Sequence, residues 1–318
     1  MASSIRDGGG HPLRGHRPLL VALVLATATL AGGAATTAAA DRTAMVDMGA
    51  GRKLYLDCQG AGSPTVFIIP GKGSYAEVWN VAVPVDDPIR SSPYDIINEA
   101  KLAPSPAATQ PTVAKTTRVC AYDRPDTRPD GADQSTPAPQ PHTVQADVDD
   151  VVKLLSAAHL STPVVVVAHS YGGLIADLLA RTRPELVSGL VMVDPLSEFL
   201  PTLGSAEQNA AFDRDAQSPP DPGGEGFLAE DAYARIAQAP PLPRVPAIVL
   251  SSDKFAPAAD LTPENYSQEQ IHRANGMLAD ALDTTNLTVT DSGHNMMLYQ
   301  PQRVADEIVA IVDQVRAR

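Results

Sequence analysis

Cysteine is nearly absent from this chain of 318 residues: there are two, Cys58 and Cys120, and neither has the C-x-x-C neighbour of a zinc or redox site. Histidine is also sparse. Beyond residue 40 there remain His142, His159, His169, His272 and His294, with no close pair among them, so no metal centre is expected. Basic charge is in deficit. With 24 Lys and Arg against 37 Asp and Glu the net charge is −13, which disfavours nucleic acid or an anionic membrane as a partner. No internal repeat is present, and past the N-terminus no apolar run approaches the ~20 residues of a spanning helix.

What is present begins with a targeting pattern. Arg6, Arg14 and Arg17 precede the apolar run 19–30, and small residues follow up to Ala38-Ala39-Ala40. A basic region, a short apolar core and an A-x-A site predict a secretory signal peptide over 1–40, cut near Asp41. No cysteine stands at that site, so a lipid anchor is not expected. Residues 41–318 are then an exported domain, long enough for one large core.

Strand-like runs over 43–48 and 52–58, split by Gly49-Ala50-Gly51, predict a hairpin with one wetter face on its second strand. Further short apolar runs fall at 65–69, 118–122, 164–167, 189–193, 247–250 and 286–290. The intervals hold helical patterns. Val148, Val151, Val152 and Leu155 recur at i, i+3, i+4 and i+7 behind Thr143, a capping residue, and Val304, Ile308, Ile311, Val312 and Val315 stripe the last helix. A hairpin followed by alternating strands and helices predicts an α/β fold: a doubly wound, mostly parallel, eight-stranded sheet. Two long connections interrupt the alternation. Residues 75–117 are proline-studded, with a short helix expected near 94–100; residues 196–244 are rich in Gly, Pro and acid around two weak helices.

The chemistry gathers at Ala168-His169-Ser170-Tyr171-Gly172-Gly173, which follows four consecutive valines and leads directly into an apolar helical pattern. This is the strand–turn–helix grammar of a nucleophile elbow, G-x-S-x-G, with Ala168 at the first glycine. The turn is sharp enough that the neighbours of Ser170 must be small. The helix behind it aims its free N–H groups at a developing oxyanion.

This elbow, together with Arg118-Val119-Cys120-Ala121-Tyr122-Asp123-Arg124, Val191-Met192-Val193-Asp194-Pro195 and Ser292-Gly293-His294, resembles the α/β-hydrolase family across residues 41–318. The resemblance implies the order Ser…acid…His, with Ser170 as nucleophile and His294, after the last strand, as its base. The acid departs from the usual pattern, because Phe255 occupies the position expected after the strand at 247–250. Asp194, at the C-terminal end of the preceding strand, is the preferred substitute, and Asp253 is the alternative. The resemblance also places an oxyanion hole at the backbone N–H groups of Lys72 and Tyr171. It sets the second strand beside the fourth, so Cys58 and Cys120 are expected to be bridged.

Residues 196–244 lie where the family inserts its caps, after the sixth strand. They are expected to cover Ser170, with Phe199, Leu200, Leu203, Phe212, Phe227 and Leu228 facing the pocket and a hinge at 218–224. The activity implied is hydrolysis of a small-molecule carboxylic ester by an exported serine hydrolase with no cofactor. A serine nucleophile disfavours the epoxide hydrolases and haloalkane dehalogenases of the same fold, which use aspartate there. Lipase, thioesterase, peptidase and cofactor-free perhydrolase chemistry share the same site. A catalytically silent binding protein is the reading from another class.

Overall fold

The computed structural model describes residues 42–128, 134–218 and 224–318. The expected signal peptide over 1–40 lies outside them, as do residues 219–223 of the expected hinge.

Eight strands form one sheet: β1 (Arg42–Gly49), β2 (Arg52–Gln59), β3 (Val66–Ile69), β4 (Val119–Tyr122), β5 (Val164–His169), β6 (Val187–Val193), β7 (Ala247–Ser252) and β8 (Asn286–Val289). Their spatial order is β1-β2-β4-β3-β5-β6-β7-β8. β1 and β2 pair antiparallel, as do β2 and β4, and every later pairing is parallel. β5 therefore stands mid-sheet between β3 and β6. Its side chains are buried on both faces, which is why an unbroken valine run occupies it.

The pleat divides those valines between two cores. Val164, Val166 and Ala168 pack with Phe67, Ile69 and Tyr122 beneath α1 (Val144–Ala157) and α2 (Gly172–Thr182). Val165 and Val167 pack with Val66, Ile68, Val191 and Val193 against the C-terminal helix α6 (Pro301–Arg316) on the other face. The remaining long helices, α3 (Ala206–Gln217), α4 (Ala229–Gln238) and α5 (Gln268–Ala281), lie between β6 and β8 in the chain. Thr143 caps α1 as its residue type implies, its hydroxyl accepting from the Ala146 N–H at 3.2 Å.

Two sequence expectations differ from the structure. The expected wetter face of the second hairpin strand is exposed only at Lys53: Tyr55 and Asp57 are buried along with Leu54 and Leu56. The connection 75–117 covers that face, where Gln110 and Asn80 hydrogen-bond to Asp57. Within 94–100, where a helix was expected, that connection makes just the 3-10 turn Ile97–Glu99; it also has 3-10 turns at Ala76–Asn80 and Pro88–Ser91 and a short α-helix, Thr109–Val113.

Cys58 and Cys120 stand opposite each other in the β2–β4 register and are bridged, closing a separation of 62 residues. A loop of that size contributes on the order of 4 kcal/mol by restricting the unfolded chain. Cys58→Ala/Cys120→Ala should therefore unfold at clearly lower denaturant than the bridged protein. Coincident midpoints would show that the bridge adds no stability.

Candidate active site

The turn between β5 and α2 is made by Ser170 and Tyr171 alone. Ser170 is driven to φ +52°, a left-handed conformation costing a non-glycine residue roughly 1–2 kcal/mol. Its neighbours over-determine it. The Ser170 N–H donates to the Val193 carbonyl at 3.3 Å, and its own carbonyl accepts from Gly173 at 2.8 Å and Leu196 at 2.9 Å. Gly172 has no substitute, because a Cβ there would overlap the Ile69 carbonyl. Ala168 is tolerated because its methyl is taken up in the core between Ile69 and Met192.

Asp194 leaves the C-terminal end of β6 at φ +41° with its side chain only 4% exposed. Its carboxylate accepts from His294 Nδ1 at 2.7 Å. It also accepts from the Ser252 N–H at 3.2 Å, the Ser252 hydroxyl at 3.1 Å and Asn275 Nδ2 at 3.4 Å. Burial alone would raise the Asp194 pKa, but the hydrogen bond and charge of His294 and the Ser252 amide outweigh it and hold it below the usual carboxylate range. Partial burial opposes a charge on His294, whose side chain is 45% exposed, yet Asp194, with Asp95 nearby, holds the imidazole above its ordinary value.

The backbone of His294 is fixed from two sides. Its N–H donates to Asp95 Oδ2 at 2.7 Å, while its carbonyl accepts from His169 Nε2 at 3.0 Å. Asp95 is braced in turn by the Tyr299 hydroxyl at 2.9 Å. Gly293 lets the loop pass, since a Cβ there would overlap the Asp95 carboxylate. Burial, reinforced by the neighbouring His294, pushes His169 down to about 3, so His169 is a neutral donor to the loop.

Asp253 is engaged elsewhere. Its two carboxylate oxygens accept the N–H groups of Asp291 and Ser292, both at 2.8 Å, pinning the start of the loop that carries His294.

Lys72 follows β3 in a turn held by a buried ion pair. Arg124 donates to the carbonyls of Pro70 at 2.7 Å and Gly71 at 2.5 Å, and to Glu225 at 2.5 and 3.1 Å. Glu225 closes the circuit by accepting the Gly73 N–H at 2.7 Å. The Lys72 ammonium reaches outward to the carbonyls of Asp215 and Ser218 at the C-terminal end of α3, where a cation is favoured. Tyr171 opens α2, with its hydroxyl on Asp147 at 2.5 Å and its ring stacked on Phe227 at 3.8 Å.

These residues meet in a cleft of about 380 Å³ lined by Lys72, Ser170, Tyr171, Asp194 and His294. Leu196, Leu200, Phe212, Phe227, Phe255, Tyr266 and Ile271 supply its apolar lining, with Phe212 edge-on to Tyr266 at 5.6 Å. Of the six apolar residues expected to face it, Leu200, Phe212 and Phe227 do so. Phe199 and Leu203 instead pack against Leu200, Tyr266 and Ala274, and Leu228 sits at the start of α4 with its N–H on the His142 carbonyl. Phe255, standing where an acid is usual, is a wall residue. Among the described residues no group of acids, histidines and cysteines is arranged to hold a metal ion.

Asp95, Asn275 and Glu225 escaped the sequence reading. Each lies in a connection or a helix with no motif of its own, and each acts by touching the backbone or side chain of a residue that has one. Arg124 was inside a recognised segment, but nothing in that segment revealed which carbonyls it reaches.

A profile of the alpha/beta hydrolase family matches residues 101–307. The chain belongs to the alpha/beta hydrolase family. Within it, the chain is 43% identical over 60 residues to Lipase LipV of Mycobacterium tuberculosis, a match covering 19% of this chain and 23% of that relative's length. Among solved structures it is similar to a thermophilic esterase from Thermogutta terrifontis, with TM-score 0.53 and 17% identity over 86% of this chain and 99% of the other. It is also similar to the carboxylesterase CesB from Bacillus subtilis, with TM-score 0.52 and 14% identity over 85% and 91% of the two chains. At such identities the structural likeness carries the hydrolase fold alone.

Proposed function

We propose that this hydrolase is an exported serine esterase that cleaves small-molecule carboxylic esters through Ser170, His294 and Asp194. The observation that carries the reading is the 2.7 Å contact of His294 Nδ1 with buried Asp194, in the cleft whose floor is the strained Ser170. In this reading His294 Nε2 takes the Ser170 proton as Oγ attacks the ester carbonyl, and Asp194 stabilises the imidazolium that results. The N–H groups of Lys72 and Tyr171 receive the oxyanion. Collapse expels the alcohol, which takes its proton from His294. Water then repeats the sequence on the acyl-serine, so no cofactor takes part. Asp253 is assigned to holding the loop. An export signal over 1–40 agrees with the Cys58–Cys120 bridge, since disulfides persist in oxidising compartments. Among the described residues no helix is long and apolar enough to cross a membrane.

The segment 196–244 acts in this proposal as a cap that sets substrate size. It supplies Leu196, Leu200, Phe212 and Phe227 to the cleft and exceeds the ~2–6 residues of an ordinary connection. Phe212→Ala should open that wall and raise kcat/KM for long-chain p-nitrophenyl esters relative to short ones by about tenfold. An unchanged ratio would transfer chain-length selection to residues 75–117.

A further inference from the structure

The turn bearing Lys72 is held from both sides by one charged pair. Before Lys72, the carbonyls of Pro70 and Gly71 accept from Arg124; after it, the Gly73 N–H donates to Glu225. Arg124 and Glu225 have side chains 1% and 0% exposed, so the hydrogen bonds of Arg124 lie in a low-dielectric interior, and that of the Gly73 N–H lies at its edge. Arg124 comes from the end of β4, in the body of the fold. Glu225 comes from the connection between α3 and α4, and its neighbours Gly226 and Phe227 are themselves anchored. The Phe227 N–H donates to the Ala216 carbonyl at 2.9 Å, the His142 N–H to the Gly226 carbonyl at 2.8 Å, and the Gly226 N–H to Gln140 at 2.9 Å.

Two residues further on, Phe227 stacks on the Tyr171 ring at 3.8 Å, and the Arg124 guanidinium lies 5.4 Å from that same ring. The short stretch 225–227 thus touches the supports of both backbone donors. Such a buried ion pair is a poor source of stability, because desolvation offsets most of its attraction. Its geometry has a clearer use in fixing where the peptide of Lys72 points.

We infer that Glu225 is a positioning residue for the oxyanion hole, contributed by the segment 196–244: with Arg124 it sets the turn carrying the Lys72 N–H. The inference rests on the esterase reading above. A positioning role acts on the transition state, in which the oxyanion forms, more than on the bound ester.

The test uses two variants of the full-length protein. E225Q keeps the shape but presents an amide N–H₂ to the Gly73 N–H and Arg124, and leaves a buried guanidinium without its countercharge, which can prevent folding. Arg124→Met/Glu225→Leu removes both charges together, a change that folds tolerate far better. The double variant is expected to fold, with a thermal midpoint several degrees lower because the Pro70 and Gly71 carbonyls and the Gly73 N–H lose their partners. On p-nitrophenyl acetate its kcat should fall by about ten- to a hundredfold, with KM changed by less than about threefold. Inhibition by phenylboronic acid, whose serine adduct places an oxygen in the hole, should weaken in proportion to kcat. A folded double variant with parental kcat and boronate affinity would overturn the inference, and so would a loss confined to KM. Failure of the esterase reading is distinct: the parent protein would then hydrolyse no ester, and a fluorophosphonate probe would leave Ser170 unlabelled.

Discussion

Ser170→Ala is expected to reduce ester hydrolysis by on the order of 10⁴-fold or more, with thermal unfolding unchanged or slightly raised. The size of the loss follows from the way triad members act. An isolated hydroxyl is a weak nucleophile at neutral pH, and without it the remaining groups have no covalent path to serve. The oxyanion donors and cleft would still bind substrate, so a residual rate above water is compatible with the account. Stability should not suffer, because alanine occupies the same left-handed turn and the three hydrogen bonds holding residue 170 are all made by the backbone. A variant retaining more than about a hundredth of the parental rate would remove Ser170 from the mechanism, since triad losses are far larger.

Asp194→Asn should cost about as much, on the order of 10⁴-fold, while Asp253→Asn costs roughly tenfold or less. The two carboxylates differ in what they hold. Asp194 accepts from the His294 ring, whereas Asp253 accepts only loop N–H groups among these contacts. Asparagine at 194 can turn its N–H₂ toward Nδ1, which favours the wrong tautomer of His294 and leaves an imidazolium unsupported. The pH profile separates the two roles further. His294 must be neutral to accept a proton, so parental kcat/KM should rise with pH through a midpoint above the ordinary ~6.5 of histidine, in the direction that Asp194 imposes. In Asp194→Asn that midpoint should move to lower pH; in Asp253→Asn it should stay. A larger loss and a shifted midpoint in Asp253→Asn would exchange the two assignments.

The sheet was legible because its signals are local and strong. Four β-branched valines with no polar interruption favour a strand covered on both faces, and the alternation of such runs with i, i+3, i+4 patterns sets the doubly wound class. The positions of Ser170 and His294 just past strand ends were legible for a similar reason: small residues mark each turn in the sequence, Gly172 and Gly173 after Ser170 and Gly293 before His294. The buried faces of Tyr55 and Asp57 were not, because what covers them is the connection 75–117, whose contacts are long-range and carry no periodicity. Glu225 shows the limit most clearly. It lies just past the Pro- and Gly-rich stretch 218–224 expected to act as a hinge, yet its side chain is fully buried on an arginine about a hundred residues away. Nothing in its own neighbours encodes that partner. Asp95 is similar, contributing to the site through the N–H of His294, a group present at every residue and therefore invisible to a search by side-chain type.

The most direct test of the central claim is to treat the full-length protein with a fluorophosphonate probe and locate the adduct by peptide mass spectrometry. The account predicts a single modified residue, Ser170, with labelling lost in His294→Ala and retained in His169→Ala once folding is confirmed. An unlabelled Ser170 in folded protein, or labelling that survives His294→Ala at the parental rate, would contradict it.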